Sequence, residues 1–319
     1  NIVYSDATKG WLPLEDDVTA LEPVAPPTQK AIFGYGYNAS GGGRLSMSNL
    51  VNSSGVVAAD VTGVGTARMT IAATSYGGDK AIFGYGDSGS ATNLSNLVSS
   101  SGVIASDTTG VGTARYAPAA ASYDGDKGIF GYGDTGGDSY VSLTNLVNNF
   151  GVIATDTTGV GTARRYLAAT GYGSSGQAVF AYGSTGSRLS MKNLVSNSGV
   201  VASDATGVGS ARNNLAAVKY GTDKAIFGYG NSGSITGVTN LVSNVGVVAA
   251  DVSGVGTARQ YLAAASYGGD KALFGYGNTA SGAVSMTNLV SNIGVVGADV
   301  TGVGSARETL GAAGYSTSA

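Results

Sequence analysis

The chain has 319 residues, 43% of them hydrophobic, and its 17 basic and 20 acidic side chains give a net charge of −3. It contains neither cysteine nor histidine, so disulfides, thiolate metal sites, cysteine nucleophiles and the commonest general base are all excluded. Because charges are few and basic residues do not cluster, we expect no nucleic-acid partner, and no apolar stretch is long enough to insert into a membrane as a helix.

Residues 1–29 differ in composition from everything that follows. They hold four of the five prolines and the only tryptophan, Trp11. Proline favours extended backbone, so we predict an extended N-terminal arm or linker. The alternative is an attachment peptide in which Trp11 and Leu12 pack on a neighbour, which makes the arm a candidate for homo-oligomerisation. With no signal peptide and no initiating Met, the chain resembles a mature product or a fragment.

Six copies of one motif begin at Lys30. Each opens with a segment such as "KAIFGYG" and closes with "GVG(T/S)AR", and the closing arginines are 47, 49, 48, 47 and 48 residues apart. Each copy has four short segments rich in β-forming or small residues, separated by glycine, and none has a sustained helical period. This pattern predicts an all-β protein with four strands per copy, the size of a propeller blade.

The two ends of the repeat complement each other. The first copy has no Ala-rich strand before it, whereas residues 307–316 form an Ala-rich strand with no copy after it. If this last strand pairs into the first copy, six complete blades result and no sheet edge is left open. We therefore predict that residues 30–319 form one six-bladed β-propeller of four-stranded blades.

Two resemblances follow from these residues. A small-Ala-Arg sequence before an inner strand, followed by an apolar strand that ends in glycines, resembles the kelch-type propeller repeat over residues 30–316. The adjacent Gly-Gly pair of that family is replaced here by Gly-Tyr-Gly, and its outer-strand Trp is absent. The near-identical copies and the lead-in "VYSDATKGWLP" are similar to repeat-bearing structural or tail proteins of tailed phages and environmental viruses, which implies a virion or other extracellular location.

Residues that recur in every copy are predicted to support the blade, because an active site needs asymmetry. An aspartate lies eight residues before each closing arginine, and we expect structural pairing of these residues: Asp60, Arg68, Asp107, Arg115, Asp156, Arg164, Asp204, Arg212, Asp251, Arg259, Asp299 and Arg307. The alternative is a ring of carboxylates that line a channel and bind a cation. A recurring Asn before "LV" is expected to satisfy backbone groups, and twelve recurring tyrosines to pack between blades.

The copies differ in two places. One is the loop after "FGYG", and the other is the residue after each closing arginine: Met69, Tyr116, Arg165, Asn213, Gln260 and Glu308. Loops on a rigid scaffold often carry binding specificity, although neutral drift explains such variation equally well. The loops offer Tyr37, Arg44, Asp138, Tyr140 and Arg188 as candidate binding residues.

We therefore predict no catalytic residue, no metal site and no cofactor. The expected function is a non-enzymatic structural or adhesive, receptor-binding module of a virion or another extracellular assembly, with the variable loops as its contacts. Its partners would be other structural subunits or a glycan or receptor on a host surface. The alternative is a soluble propeller lectin that binds neutral glycans between blades.

Overall fold

The computed structural model describes residues 2–6, 10–13 and 28–319, and this part of the chain is all-β, as predicted. Strands β1 (Ile2–Asp6) and β2 (Gly10–Pro13) form an antiparallel hairpin. The predicted extended arm otherwise falls outside the described residues, as do the side chains of Trp11 and Leu12. None of the described segments is a helix long and apolar enough to cross a membrane.

Six antiparallel sheets follow, one for each copy, and we number them sheet 1 to sheet 6 along the chain. The Ala-rich segments form the first strands, which in sheets 1 to 6 are β23 (Gly311–Tyr315), β5 (Ala72–Tyr76), β8 (Ala119–Tyr123), β11 (Ala168–Tyr172), β14 (Ala216–Tyr220) and β17 (Ala263–Tyr267). The central strands are β3 (Lys30–Asn38), β6 (Lys80–Gly84), β9 (Lys127–Asp134), β12 (Gln177–Ala181), β15 (Lys224–Gly228) and β18 (Lys271–Gly275). The third strands are β4 (Gly43–Val51), β7 (Ser95–Val98), β10 (Tyr140–Val147), β13 (Lys192–Val195), β16 (Thr239–Val242) and β21 (Thr287–Val290).

The C-terminal strand belongs to the first sheet. Strand β23 pairs antiparallel with β3 in a continuous register from Gly311 opposite Gly34 to Tyr315 opposite Lys30. Residues 311–315 thus supply the first strand that the first copy lacks in sequence. The other five sheets take their first strand from the segment just after the preceding closing arginine.

Among the described residues, the predicted fourth strand is complete in only one of the six sheets. Sheet 6 has it as β22 (Val296–Val300), whereas in the other five sheets the same segment makes two isolated bridges. In sheet 2, for example, the amide of Asn96 donates to the carbonyl of Ala105 at 3.0 Å and to the Asp107 carboxylate at 2.9 Å. Asn288 makes the same two bonds in sheet 6, so these bonds do not account for the difference between the sheets. Because two bridges are not a strand, the prediction of four-stranded sheets is wrong for sheets 1 to 5.

The apolar core lies between successive sheets in six clusters. At each contact the tyrosine of "GYG" meets the phenylalanine of the next sheet, with ring centroids 5.1–5.3 Å apart. The phenylalanine ring also explains why residue 34 is a glycine, because a Cβ on Gly34 would lie 2.7 Å from Phe83. The sixth contact joins Tyr276 of sheet 6 to Phe33 of sheet 1. The first strands lie side by side in the same cyclic order.

Strands β19 (Asn278–Thr279) and β20 (Gly282–Ala283) form a small hairpin in the variable loop of sheet 6. In sheets 1 and 3 the corresponding loop is held by extensions of the central and third strands. The tyrosine of "GYG" has a positive φ of 61–65° in every sheet, so the strand bends there before it enters the loop. The differences between copies therefore lie beyond a bend that all copies share.

Candidate functional site

The six closing arginines are fully buried between sheets. Each guanidinium lies over the "GYG" tyrosine of the preceding sheet, 4.0–4.9 Å from the ring centroid. In five of the six interfaces its Nη2 also donates to the recurring asparagine of the next sheet, as from Arg115 to Asn145 at 2.6 Å. The tyrosine hydroxyl donates to a valine carbonyl, and burial raises the pKa of Tyr85 to about 12. These residues join neighbouring sheets and are closed to a ligand.

The recurring aspartates connect one copy to the preceding one. The carboxylate of Asp156 accepts from the main-chain N–H of Thr113 at 3.0 Å and from its hydroxyl at 2.6 Å, and Arg115 Nη1 lies 3.9 Å away. Burial alone raises the pKa of this carboxyl, but the hydrogen bonds and the arginine charge together lower it below its usual value. In five of the six copies the arginine that lies within 4.0 Å of the aspartate is that of the preceding copy, and Asp60 closes the series with Ser305 and Arg307.

These aspartates lie in the outermost segment of each sheet, whereas the first strands are the ones that adjoin each other. The alternative of a carboxylate ring around a channel therefore does not match their position. Within the described residues, no group of three acidic side chains is arranged to hold a metal ion.

The residues that directly precede the six first strands meet in one place. A cavity of about 70 Å³ is lined by two consecutive residues from each of the six copies: 70–71, 117–118, 166–167, 214–215, 261–262 and 309–310. The first residue of each pair is not glycine and yet has a positive φ of 48–57°. Such a conformation costs about 1–3 kcal/mol per residue. Five main-chain N–H groups donate to the carbonyl of the equivalent residue in the preceding copy, as from Tyr261 to Asn214 at 2.8 Å, and these bonds offset the strain.

A second set of residues surrounds this cavity and unites the two variable regions. The residue after each closing arginine pairs as a β-bridge with the residue after "GYG" in the sheet that follows: Glu308 with Tyr37, Met69 with Asp87, Tyr116 with Asp134, Arg165 with Ser184, Asn213 with Asn231, and Gln260 with Asn278. We call the surface formed by these twelve residues, the variable loops and the cavity lining the variable face. Both places where the copies differ lie on it.

The densest polar cluster of the variable face is centred on Arg165. Its Nη1 lies 2.7 Å from the fully buried carboxylate of Asp134, and its Nη2 lies 2.8 Å from the exposed carboxylate of Asp138. The guanidinium also lies over two aromatic rings, 5.2 Å from the centroid of Tyr140 and 5.0 Å from that of Tyr166. Charge pairing on both nitrogens and contacts with two rings hold this side chain in one orientation.

The five candidate residues from the loops are divided among different parts of the face. Asp138 and Tyr140 belong to the Arg165 cluster, and the Tyr140 hydroxyl donates to Asp138 at 3.1 Å. Arg44 of sheet 1 pairs with Asp87 of sheet 2 at 2.9 Å. Tyr37 bridges to Glu308 through its backbone, and Arg188 is exposed on the loop of sheet 4.

Sequence reasoning missed the residues next to the cavity. Tyr166 and Tyr261 contact each other edge to face at 6.0 Å, and Asn214 lies between them in the ring of backbone hydrogen bonds. The Asn214 amide also reaches the side chains of Tyr261 and Gln260. The sequence did contain a signal for them. The position that follows the variable residue after each closing arginine is Thr or Ala in three copies, but it is Tyr166, Asn214 and Tyr261 in the other three.

Glu308 completes this side of the face. Burial raises the pKa of its carboxyl above the ordinary value, and the Asn278 side chain, which hydrogen-bonds to it, partly opposes the shift. The proximity of the Glu308 charge contributes to the raised pKa of Tyr261, after the larger effect of burial. A comparison with protein-family models finds no family that matches this chain, and a comparison with curated proteins likewise finds no match.

Proposed function

We propose that residues 30–319 are a six-bladed β-propeller that acts as a non-enzymatic recognition module and binds its partner through the variable face. The propeller reading is supported by the cyclic order of the first strands, by the pairing of β23 with β3, and by the contact between Tyr276 and Phe33 that repeats the other five. The fourth segment of each blade is reduced to bridges in five of them. Closure of this kind leaves no exposed inner edge.

One observation carries the functional proposal. The recurring arginines, asparagines, phenylalanines and "GYG" tyrosines are buried between the sheets, whereas the two regions in which the copies differ adjoin on a single face around a single cavity. A rigid scaffold that presents unlike side chains on one surface suits the recognition of one asymmetric partner. The setting we propose is extracellular, on a virion or a comparable assembly.

For the lectin alternative, the same geometry argues against a glycan site between blades. The space between sheets is filled by an arginine, a tyrosine and a phenylalanine, all without solvent exposure. A neutral sugar would therefore bind on the variable face, where Tyr140 and its polar neighbours are accessible, and the term recognition module covers a glycan or a protein partner alike.

The test is a binding screen with matched variants. The labelled chain is applied to a glycan array and to an array of extracellular proteins, in parallel with Tyr140→Ala and Arg188→Ala on the variable face. The control is Phe150→Ser, because Phe150 is 78% exposed in the turn that follows the third strand of sheet 3. We expect a bound partner whose signal falls at least tenfold in a face variant and stays unchanged in the control.

Two results would contradict this proposal. Binding that is lost in Phe150→Ser and retained in both face variants would place recognition elsewhere. No binding on either array, together with regular particles or filaments of the purified chain in electron microscopy, would make assembly the function.

A further inference from the structure

Glu308 is the one acidic residue among the six that follow the closing arginines. Its carboxyl group lies within reach of the Asn278 side chain, and its Oε2 is buried and has no hydrogen-bond partner within the described part of the chain. A buried carboxylate oxygen without a donor is costly, and native proteins rarely keep one without a purpose. This oxygen is therefore an acceptor on the variable face that a donor from a ligand could satisfy.

A second free acceptor lies on the same side of the cavity. The Asn214 oxygen Oδ1 is buried and also lacks a partner among the described residues, whereas its Nδ2 reaches Gln260 Oε1 at 3.5 Å. Tyr261 is next to both groups, because it hydrogen-bonds to the Asn214 side chain and because the Glu308 charge contributes to the raised pKa of its hydroxyl. The atoms left over at this place are thus acceptors, and they require a ligand that donates.

We propose that this place binds a primary ammonium group, the end of a lysine side chain of a protein partner, between Glu308, Asn214 and the Tyr261 ring. The inference rests on the proposed recognition function and specifies its chemistry. An ammonium group has three donors and no acceptor, and its charge neutralises the one carboxylate present. The tyrosine pair adds attraction to a cation over a ring face.

The other donors fit less well. A guanidinium group prefers to engage both oxygens of a carboxylate, and here Oε2 is the one that is buried and left without a donor among the described residues. A calcium ion needs six to eight oxygen ligands, usually with several carboxylates, and this place has one carboxylate. A sugar hydroxyl donates but leaves the carboxylate charge unpaired. The nearby charge of Arg165 is already balanced by Asp134 and Asp138, so it does not repel the incoming cation strongly.

The experiment is a titration monitored by ¹H–¹⁵N TROSY spectra of the full chain. The probe is Nα-acetyl-lysine methylamide, and its neutral counterpart is Nα-acetyl-norleucine methylamide. We expect saturable shifts of the amides of Tyr261 and Thr309 with the lysine probe, and none with the norleucine probe. Glu308→Gln keeps the shape of the side chain and should weaken the binding at least tenfold.

The matched control is Asp223→Asn, which removes the same charge at the opposite end of strand β14 from Asn214. It should leave the affinity within twofold of the parent. Equal shifts with both probes, or an affinity unchanged by Glu308→Gln, would overturn the ammonium assignment. If that happens while Tyr140→Ala or Arg188→Ala still abolishes array binding, the proposed function stands and this inference alone fails.

Discussion

The contact between the last sheet and the first can be tested by one substitution. Asp60→Ala removes the carboxylate that accepts from Ser305 N–H at 3.0 Å, from the Ser305 hydroxyl at 2.7 Å and from Asn49 at 2.9 Å. Ser305 is 245 residues away in sequence, so these bonds exist only if sheet 6 adjoins sheet 1. Hydrogen bonds to a charged group contribute about 1.5–3 kcal/mol each when buried, and this side chain is 31% exposed. We expect a loss of about 2–4 kcal/mol in the free energy of unfolding.

The same change elsewhere in the ring provides the comparison. Asp156→Ala removes equivalent bonds from Thr113 and Asn145 between sheets 2 and 3. Among the described residues, Asn49 Oδ1 and Arg307 Nη2 have no hydrogen-bond partner, whereas Arg115 donates to Asn145. The contact between sheets 6 and 1 therefore relies on Asp60 at least as much as the contact between sheets 2 and 3 relies on Asp156. Both variants should lose similar stability.

The assay is equilibrium unfolding in urea, with thermal unfolding as a second measurement. For a chain of this size, the expected loss corresponds to a fall of roughly 3–6 °C in Tm. The control Phe150→Ser, at a side chain that is 78% exposed, should stay within about 0.5 kcal/mol of the parent. If Asp60→Ala is as stable as the parent while Asp156→Ala is not, sheets 6 and 1 are not joined and the ring reasoning fails.

Two further predictions concern the same interfaces and the variable face. Gly112→Ala should lower the free energy of unfolding in urea by about 2–4 kcal/mol, because φ is +74° and the new Cβ would lie 2.3 Å from Asp156 Oδ1. The control is Gly125→Ala, which also has a positive φ but has open space around it. It should lose only about 1 kcal/mol. Glu308→Gln should raise Tm at pH 7, because burial raises the pKa of this carboxyl and the ionised form therefore disfavours folding above that pKa. The gain should vanish below the ordinary value of 4.5, where the carboxyl is protonated in both states, and a gain that persists there would contradict the charge explanation.

The repeat period predicts much of the fold because one rule applies six times. The all-β class and the segments that become first, central and third strands follow from the spacing of glycine and apolar residues. The fourth segment did not follow, because its sequence is as β-prone as the others. The recurring asparagine does not decide it, because Asn96 in sheet 2 and Asn288 in sheet 6 make the same bonds between the two segments, and the strand is complete in sheet 6 alone among the described residues.

The partner of each aspartate was also beyond sequence reasoning. The interval of eight residues between Asp107 and Arg115 is present in every copy, so it cannot distinguish a partner in the same copy from one in the neighbouring copy. The structure selects the neighbour: Asp107 accepts from Thr66 of the preceding copy, and Arg115 lies beside Asp156 of the next. A pattern that repeats without variation carries no information about which copy meets which.

The variable face shows why single loops were poor guides to the candidate site. Arg165 precedes sheet 4 but binds Asp134 and Asp138 of sheet 3, and Arg44 of sheet 1 binds Asp87 of sheet 2. At these two places a loop is held by a side chain from a neighbouring copy, so a change in one copy alters the surface of two. Because these pairs form without a ligand, part of the ordering cost of binding is already met in the free chain. Where a pair is lacking, as at Glu308, the face has an unbalanced charge, and it is there that a partner has most to supply.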